Sequence, residues 1–129
     1  MIFVIDDDES VRRALERFLR AAGLDVKAFS SAKEFLESGN LGERACLVLD
    51  IQMRGLTGFE LQEELASKGI RIPVIAVSAL DDARTRERAR ELGATAFFRK
   101  PVDGHALIDA IHWAMGGAKD KSGPSDSRF

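Results

Sequence analysis

Four short apolar runs in this chain each lead into polar residues that can carry chemistry. Ile2-Phe3-Val4-Ile5 is followed by Asp6-Asp7-Asp8, and Cys46-Leu47-Val48-Leu49 by Asp50. Val74-Ile75-Ala76-Val77 is followed by Ser78, and Ala96-Phe97-Phe98 lies just ahead of Lys100. Between the runs, apolar residues recur at helical spacing, as at Val11, Ala14, Leu15, Phe18 and Leu19. Strand–helix alternation repeated in this way predicts a parallel sheet with helices on both faces. Sites in such sheets form outside the carboxyl ends of the strands. Three carboxylates, a hydroxyl and an ammonium, scattered along the whole sequence, then meet in one crevice.

The remaining elements follow the same rules. A first helix spans Glu9 to Ala22, with Asp8 as a cap and Gly23 as a stop. A second strand covers Leu24 to Phe29. Ser31-Ala32-Lys33-Glu34 has a capping-box pattern and opens a short helix through Glu37. The run from Ala45 to Leu49 lacks polar alternation and should be covered on both faces. Gly58 to Ser67 forms the third helix, and Pro73 opens the fourth strand. Asp81 or Asp82 starts a very polar fourth helix that Gly93 ends. Ala94 to Phe98 is the fifth strand, and Asp103 to Met115 the last helix.

A length of 129 residues suits one domain with a single core. No apolar run approaches the ~20 residues needed to span a bilayer. Met1 leads straight into an apolar run that ends in acids, without the basic segment or cleavage site of a signal peptide. The single cysteine, Cys46, lies inside an apolar run and reads as a buried structural thiol, which implies a reducing, cytoplasmic setting. A net charge of −2 provides no global field to recruit nucleic acid or an anionic membrane. Residues 116–129 have almost nothing apolar and read as a disordered tail after a domain of residues 1–115.

Asp6, Asp7 and Asp50 at one sheet edge repel each other unless a cation neutralises them. Oxygen donors of this kind suit a hard divalent ion such as Mg²⁺, and no His/Cys set suggests zinc. The bland alternative is that Asp7 and Asp8 merely cap the first helix, which leaves Asp50 and Lys100 unexplained. A carboxylate at the end of an apolar strand can attack phosphorus and form an acyl phosphate. Lys100 would neutralise charge on the phosphoryl oxygens, and Ser78 would offer a hydroxyl. The Lys100–Pro101 bond adopts the cis form more readily than other peptides and is suited to a sharp turn.

Together, Asp6-Asp7, Asp50-Ile51-Gln52-Met53 with Gly58, Ser78-Ala79 and Lys100-Pro101 resemble the CheY-like receiver domain of two-component response regulators. The resemblance covers residues 2–115, and the nearest likeness is to receivers of nitrogen-fixation-type regulators, through Val11-Arg12-Arg13 and Ser31-Ala32-Lys33-Glu34-Phe35-Leu36. It implies a flavodoxin-like, doubly wound five-stranded parallel sheet of order 2-1-3-4-5 with five flanking helices. It also implies roles. Asp50 would be the phosphoacceptor. Asp7, Asp50 and the backbone carbonyl of Gln52 would ligate Mg²⁺, with Asp6 acting through a water. Lys100 would pair with the phosphoryl group, and Ser78 would move to hydrogen-bond it. Phe97 would be a switch aromatic whose rotamer follows Ser78, the alternative being plain core packing. The fourth helix, fifth strand and fifth helix would form the output face and a possible homodimer contact.

The implied partners are a histidine kinase or phosphotransfer protein and a downstream protein. The expected protein is a stand-alone receiver rather than an enzyme, since the chain ends too soon for a DNA-binding domain. A receiver cut from a longer regulator is the alternative. Arg54 stands where the family usually has proline, and Ser78 where threonine is commoner. A small aspartyl-phosphate phosphatase would want an acid at position 52, where this chain has Gln52. A flavin module would want a phosphate-cradling loop in place of Asp6-Asp7-Asp8-Glu9. His105 and His112, seven apart on the last helix, read as solvated. The arginines of the fourth helix read as ion-paired surface, with a partner contact as the sharper alternative. Trp113 is either an interface anchor or the edge of the core.

Overall fold

Among the described residues of the computed structural model, 1–39, 45–53, 55, 57–80 and 82–116, strands and helices alternate throughout. They are β1 (Ile2–Ile5), α1 (Glu9–Ala21), β2 (Val26–Phe29), α2 (Ala32–Ser38), β3 (Cys46–Asp50), α3 (Gly58–Ser67), β4 (Val74–Ser78), α4 (Ala83–Glu91), β5 (Ala96–Arg99) and α5 (Gly104–Ala114). The readings made for Arg54, for Asp81 and for the tail beyond Gly116 lie outside the described residues. All neighbouring strands pair in parallel, in the order β2-β1-β3-β4-β5. This is the flavodoxin-like arrangement that the sequence led us to expect.

Strand alternation divides the core between the two faces of the sheet. On one face Phe3, Leu47, Leu49, Ala76 and Phe97 pack under Phe35 of α2, Leu61 and Leu65 of α3, and Ala89 of α4. On the other, Val4, Val48, Ile75 and Phe98 pack under Leu19 of α1 and Leu107, Ala110 and Ile111 of α5. Removing each large side chain from water contributes roughly 1.5–3 kcal/mol. The three central strands are therefore apolar until Asp50 and Ser78 end β3 and β4, and β3 is buried along its whole length. Cys46 lies in this core, and burial pushes its thiol pKa up to about 12. It is chemically quiet, as expected of a structural cysteine.

β3 and β4 begin one residue later than expected, at Cys46 and Val74, and β2 and β5 begin two residues later, the latter two for one reason. At the end of α1, Gly23 takes a φ of +88° and donates to Arg20, while the Leu24 N–H donates to the Leu19 carbonyl. At the end of α4, Gly93 takes a φ of +100° and donates to Arg90, while Ala94 donates to Ala89. In both Schellman motifs the first apolar residue after the glycine caps the helix. Leu24 and Ala94 are thereby withheld from β2 and β5.

The N-terminal caps show a second difference. Ser31 does cap α2, its hydroxyl accepting from the Glu34 N–H at 3.1 Å. Glu34, however, accepts from the N–H of Ser30, one residue before the cap, so the predicted capping box is not reciprocal. A reciprocal box forms instead at Thr57 and Glu60 in front of α3. Asp8, Asp82 and Asp103 cap α1, α4 and α5.

Candidate phosphoacceptor site

Register brings the scattered polar residues together. Ile5 is level with Leu49 across β1 and β3, so Asp6 and Asp50 come next to each other at the carboxyl edge. Asp50 is level with Val77 on β4, one residue before Ser78. Ser78 is level with Arg99 on β5, one residue before Lys100. The expected convergence of Asp6, Asp7, Asp50, Ser78 and Lys100 at one edge is thus what the register produces. The Lys100–Pro101 peptide is cis.

The three consecutive aspartates have three different surroundings. Asp6 is 2% exposed, and its carboxylate accepts from the Asp8 N–H at 2.9 Å and from Lys100 Nζ at 3.0 Å. Asp7 is exposed. Asp8 turns back to α1, accepting from the N–H groups of Ser10 and Val11. The Ser10 hydroxyl bond and then the Val11 N–H hold its carboxyl below the ordinary pKa. Only Asp8 of the Asp7–Asp8 pair acts as a helix cap. Oxygens of Asp6, Asp7 and Asp50 all lie within 4.8 Å of one another. A set of carboxylate oxygens, two buried and one open to solvent, fits a hard divalent cation that keeps part of its water shell.

Lys100 reaches into this cluster with its side chain 21% exposed, its Nζ 3.0 Å from Asp6 and 3.3 Å from Asp50. Burial opposes the ammonium, but the bond to Asp6 and the charges of Asp50 and Asp6 outweigh it and raise the Lys100 pKa. Asp50, 3% exposed, behaves differently. Burial, and then the negative charge of Asp6, push its pKa up to about 6, against the attraction of Lys100 and the Gln52 N–H. Lys100 alone does not offset burial and the charge of Asp6, and a cation or an incoming electrophile would supply the rest.

Ser78 is fully buried, and alternation along β4 puts it on the α3 and α4 side of the sheet with Val74 and Ala76. Its hydroxyl accepts from the Leu80 N–H at 3.0 Å and donates to the side-chain carbonyl of Gln52 at 3.5 Å. Phe97, also fully buried, is on that same side, whereas Phe98 faces α1 and α5. The Gln52 N–H donates to Asp50 Oδ1 at 3.0 Å, closing the turn after β3.

Sequence reasoning missed three features. The Gln52 side chain holds Ser78, a contact no local pattern announces. Arg12 donates to the Asp6 carbonyl at 2.8 Å and ties α1 to the aspartate turn. Gly58 lets α3 approach the backbone beneath Asp50. A Cβ there would lie 2.6 Å from the Ile51 Cα and 2.7 Å from the Asp50 carbonyl oxygen. Backbone atoms cannot yield as side chains do, so Gly58→Ala should destabilise the fold by about 2–4 kcal/mol. Urea denaturation of the variant would measure this; an unchanged midpoint would mean that α3 is free to slide.

The weaker candidates stay outside the site. His105 and His112 are exposed, and His105 meets the edge of Phe18 at 6.1 Å between ring centroids. Trp113 is half-buried on α5. On α4, Arg90 pairs with Glu87, and Arg88 pairs with Glu63 of α3 at 3.0 Å. These are exposed pairs that solvent screens, and they add little to stability. The guanidinium of Arg86 lies over the Phe97 ring, 4.9 Å from its centre. Among the described residues, no helix is long and apolar enough to cross a membrane.

Comparison with known proteins agrees with this geometry. The chain is 39% identical over 114 residues to the transcriptional regulatory protein TdiR of Thauera aromatica, covering 88% of this chain and 50% of that protein. It is 36% identical over 127 residues to the transcriptional regulatory protein FixJ of Azorhizobium caulinodans, covering 98% of this chain and 60% of that one. The chain therefore spans about half to three-fifths of the length of these relatives. Among solved structures, FixJ-N superposes with a TM-score of 0.83 at 31% identity, covering 92% of this chain and 95% of that one. The response regulator StyR superposes with a TM-score of 0.82 at 42% identity, covering 89% and 58%. The family described as the response regulator receiver domain matches residues 2–112. By sequence, topology and the residues gathered at its sheet edge, the chain belongs to the receiver domain family of two-component response regulators.

Proposed function

We propose that Asp50 accepts a phosphoryl group from a phosphohistidine on a histidine kinase or phosphotransfer protein. The observation that carries this is the position of Lys100 between two buried carboxylates, one of which ends the central strand. A carboxylate oxygen of Asp50 forms the new bond to phosphorus, the phosphorus–nitrogen bond breaks, and the imidazole leaves with the bonding electron pair. Lys100 faces the phosphoryl oxygens and balances their charge. The Ser78 hydroxyl exchanges Gln52 for a phosphoryl oxygen, and Phe97 adjusts its rotamer to that movement.

Asp7, Asp50 and the backbone carbonyl of Gln52 would hold Mg²⁺, with Asp6 acting through a water. The ion would neutralise the carboxylates and withdraw charge from the phosphoryl group. Residues 1–115 act as the receiver unit. The face made of α4, β5 and α5 then changes its affinity for a partner or for a second copy of the chain. Because the relatives are named as transcriptional regulators, control of transcription, direct or through an effector, is the output we favour. A cytoplasmic setting is supported by the buried, unpaired Cys46.

Intact mass after incubation with acetyl phosphate tests the proposal. The chain should gain one phosphoryl group in the presence of Mg²⁺ and none in EDTA, and Asp50→Asn should gain none. An adduct that persists in Asp50→Asn would move the acceptor elsewhere. Failure with both acetyl phosphate and phosphorylated kinases would leave a receiver that signals by binding alone.

A further inference from the structure

We infer that Arg86 is the positioning residue through which α4 senses the state of the site, by clamping the ring of Phe97. This rests on the reading that Asp50 is phosphorylated and that Ser78 moves in response.

The placement of the residues supports it. Phe97 lies opposite Ala76 on β4, two residues before Ser78, and shares the α3 and α4 side of the sheet with that hydroxyl. The small side chain of Ala76 gives the ring room beside the site. The guanidinium of Arg86 covers the ring at 4.9 Å, well inside the ~6 Å range of a cation–π contact. Arg86 lies in the middle of α4, half-buried, whereas Arg84, Arg88 and Arg90 on the same helix are exposed. It therefore departs from the solvated pattern expected of the helix as a whole. Methylene carbons and a planar cation suit this place better than an aliphatic side chain would. They seal the ring and still end in a group at home in water.

The consequence is a coupling between site and surface. When the Ser78 hydroxyl turns to the phosphoryl group, it withdraws from the side of the sheet occupied by Phe97. The buried ring and the phosphorylated site then favour each other. Arg86 stabilises the buried ring, so it favours phosphoryl uptake, and by reciprocity uptake tightens the clamp on α4. Gln62 of α3 holds the same helix about one turn further on, donating to the Ala89 carbonyl at 3.2 Å, and gives α4 a fixed point beside the clamp.

Two measurements on the same protein test this. The first is the NMR resonance of the Arg86 Nε–H, which should lie upfield through the ring current of Phe97 and lose that shift in Phe97→Leu. Adding beryllofluoride with Mg²⁺, a mimic of the acyl phosphate, should move it further upfield. The second is the rate of uptake from acetyl phosphate. Arg86→Met should slow it by roughly threefold to tenfold, and Arg86→Lys should recover most of that loss. Melting temperatures of both variants would confirm that they fold. A normal Asp50 adduct with an Arg86 resonance that ignores beryllofluoride, or with an unaltered rate in Arg86→Met, overturns the coupling and leaves the phosphoacceptor reading intact. Slow uptake in Arg86→Met that Arg86→Lys fails to recover reduces the residue to a packing role and also overturns it. No adduct in the unaltered chain overturns the phosphoacceptor reading and the coupling with it.

Discussion

In metal-free buffer above pH 7, Asp50→Asn is expected to be more stable than the unaltered protein, although it loses the proposed phosphoacceptor. The reason is the environment of Asp50. Burial and the charge of Asp6 raise its pKa from 3.8 to about 6 in the folded state. Between those values the folded protein binds more protons than the unfolded chain, so stability falls as pH rises from about 4 to 6. Above pH 6 the whole penalty is present. At 1.36 kcal/mol per unit, a shift from 3.8 to about 6 corresponds to at most about 3 kcal/mol. The carboxylate also attracts Lys100 at 3.3 Å, an interaction the asparagine gives up, so about 1–2 kcal/mol is the expected gain for the variant, or several degrees in melting temperature. Thermal melts in EDTA at pH 5 and pH 8 would measure it, with the difference between the proteins larger at pH 8. Mg²⁺ should then raise the melting temperature of the unaltered protein more than that of Asp50→Asn. A variant that melts lower at pH 8 in EDTA would show that the Lys100 pair outweighs burial at this carboxylate.

Lys100→Met is expected to be damaging in two separate ways. Its loss leaves Asp6 and Asp50 buried side by side without a cation. Removing one partner of a buried pair costs about 3–5 kcal/mol. Because the Lys100 side chain keeps 21% of its exposure, about 2–3 kcal/mol is expected here. Urea denaturation in EDTA would measure it, and the same substitution placed on Asp50→Asn should cost clearly less, since only Asp6 is then left unpaired. The Lys100 pKa is raised in the fold, so its contribution is complete below 10.5 and fades only in strong alkali. The fall in stability between about pH 4 and 6 therefore belongs to Asp50 and not to Lys100. The second effect is on phosphoryl uptake. Removing one charge-stabilising donor from a transition state costs on the order of a hundredfold or more. A variant that folds normally and takes up phosphoryl at the ordinary rate would remove Lys100 from the chemistry.

The apolar runs, the helical spacing and the stop signals were sufficient to predict the layer architecture, because burying a run on both sides requires helices on both sides. The same runs located the site, since parallel strands all finish at one edge and the polar residues after them must meet there. Local sequence marked Asp8 as the cap of α1 but could not say which of Asp6 and Asp7 would be buried and which open to solvent. Three identical residues in a row are told apart only by where β1 stops and α1 begins. Nor could it start β2 and β5 correctly, because Leu24 and Ala94 look like strand residues until the preceding helix claims their N–H groups. It misplaced the reciprocal cap too, since Ser31–Glu34 and Thr57–Glu60 have equally good spacing and differ in how the chain enters the helix. Contacts between elements distant in sequence were out of reach altogether: Gln52 on Ser78, Gly58 against the Asp50 backbone, and Arg86 over Phe97. Periodicity records which side of a strand or helix is buried, and so determined the sheet, its helices and the edge where the polar residues gather. Which side chain touches which across that edge depends on register and on the distance between packed layers, and these exist only once the chain has folded.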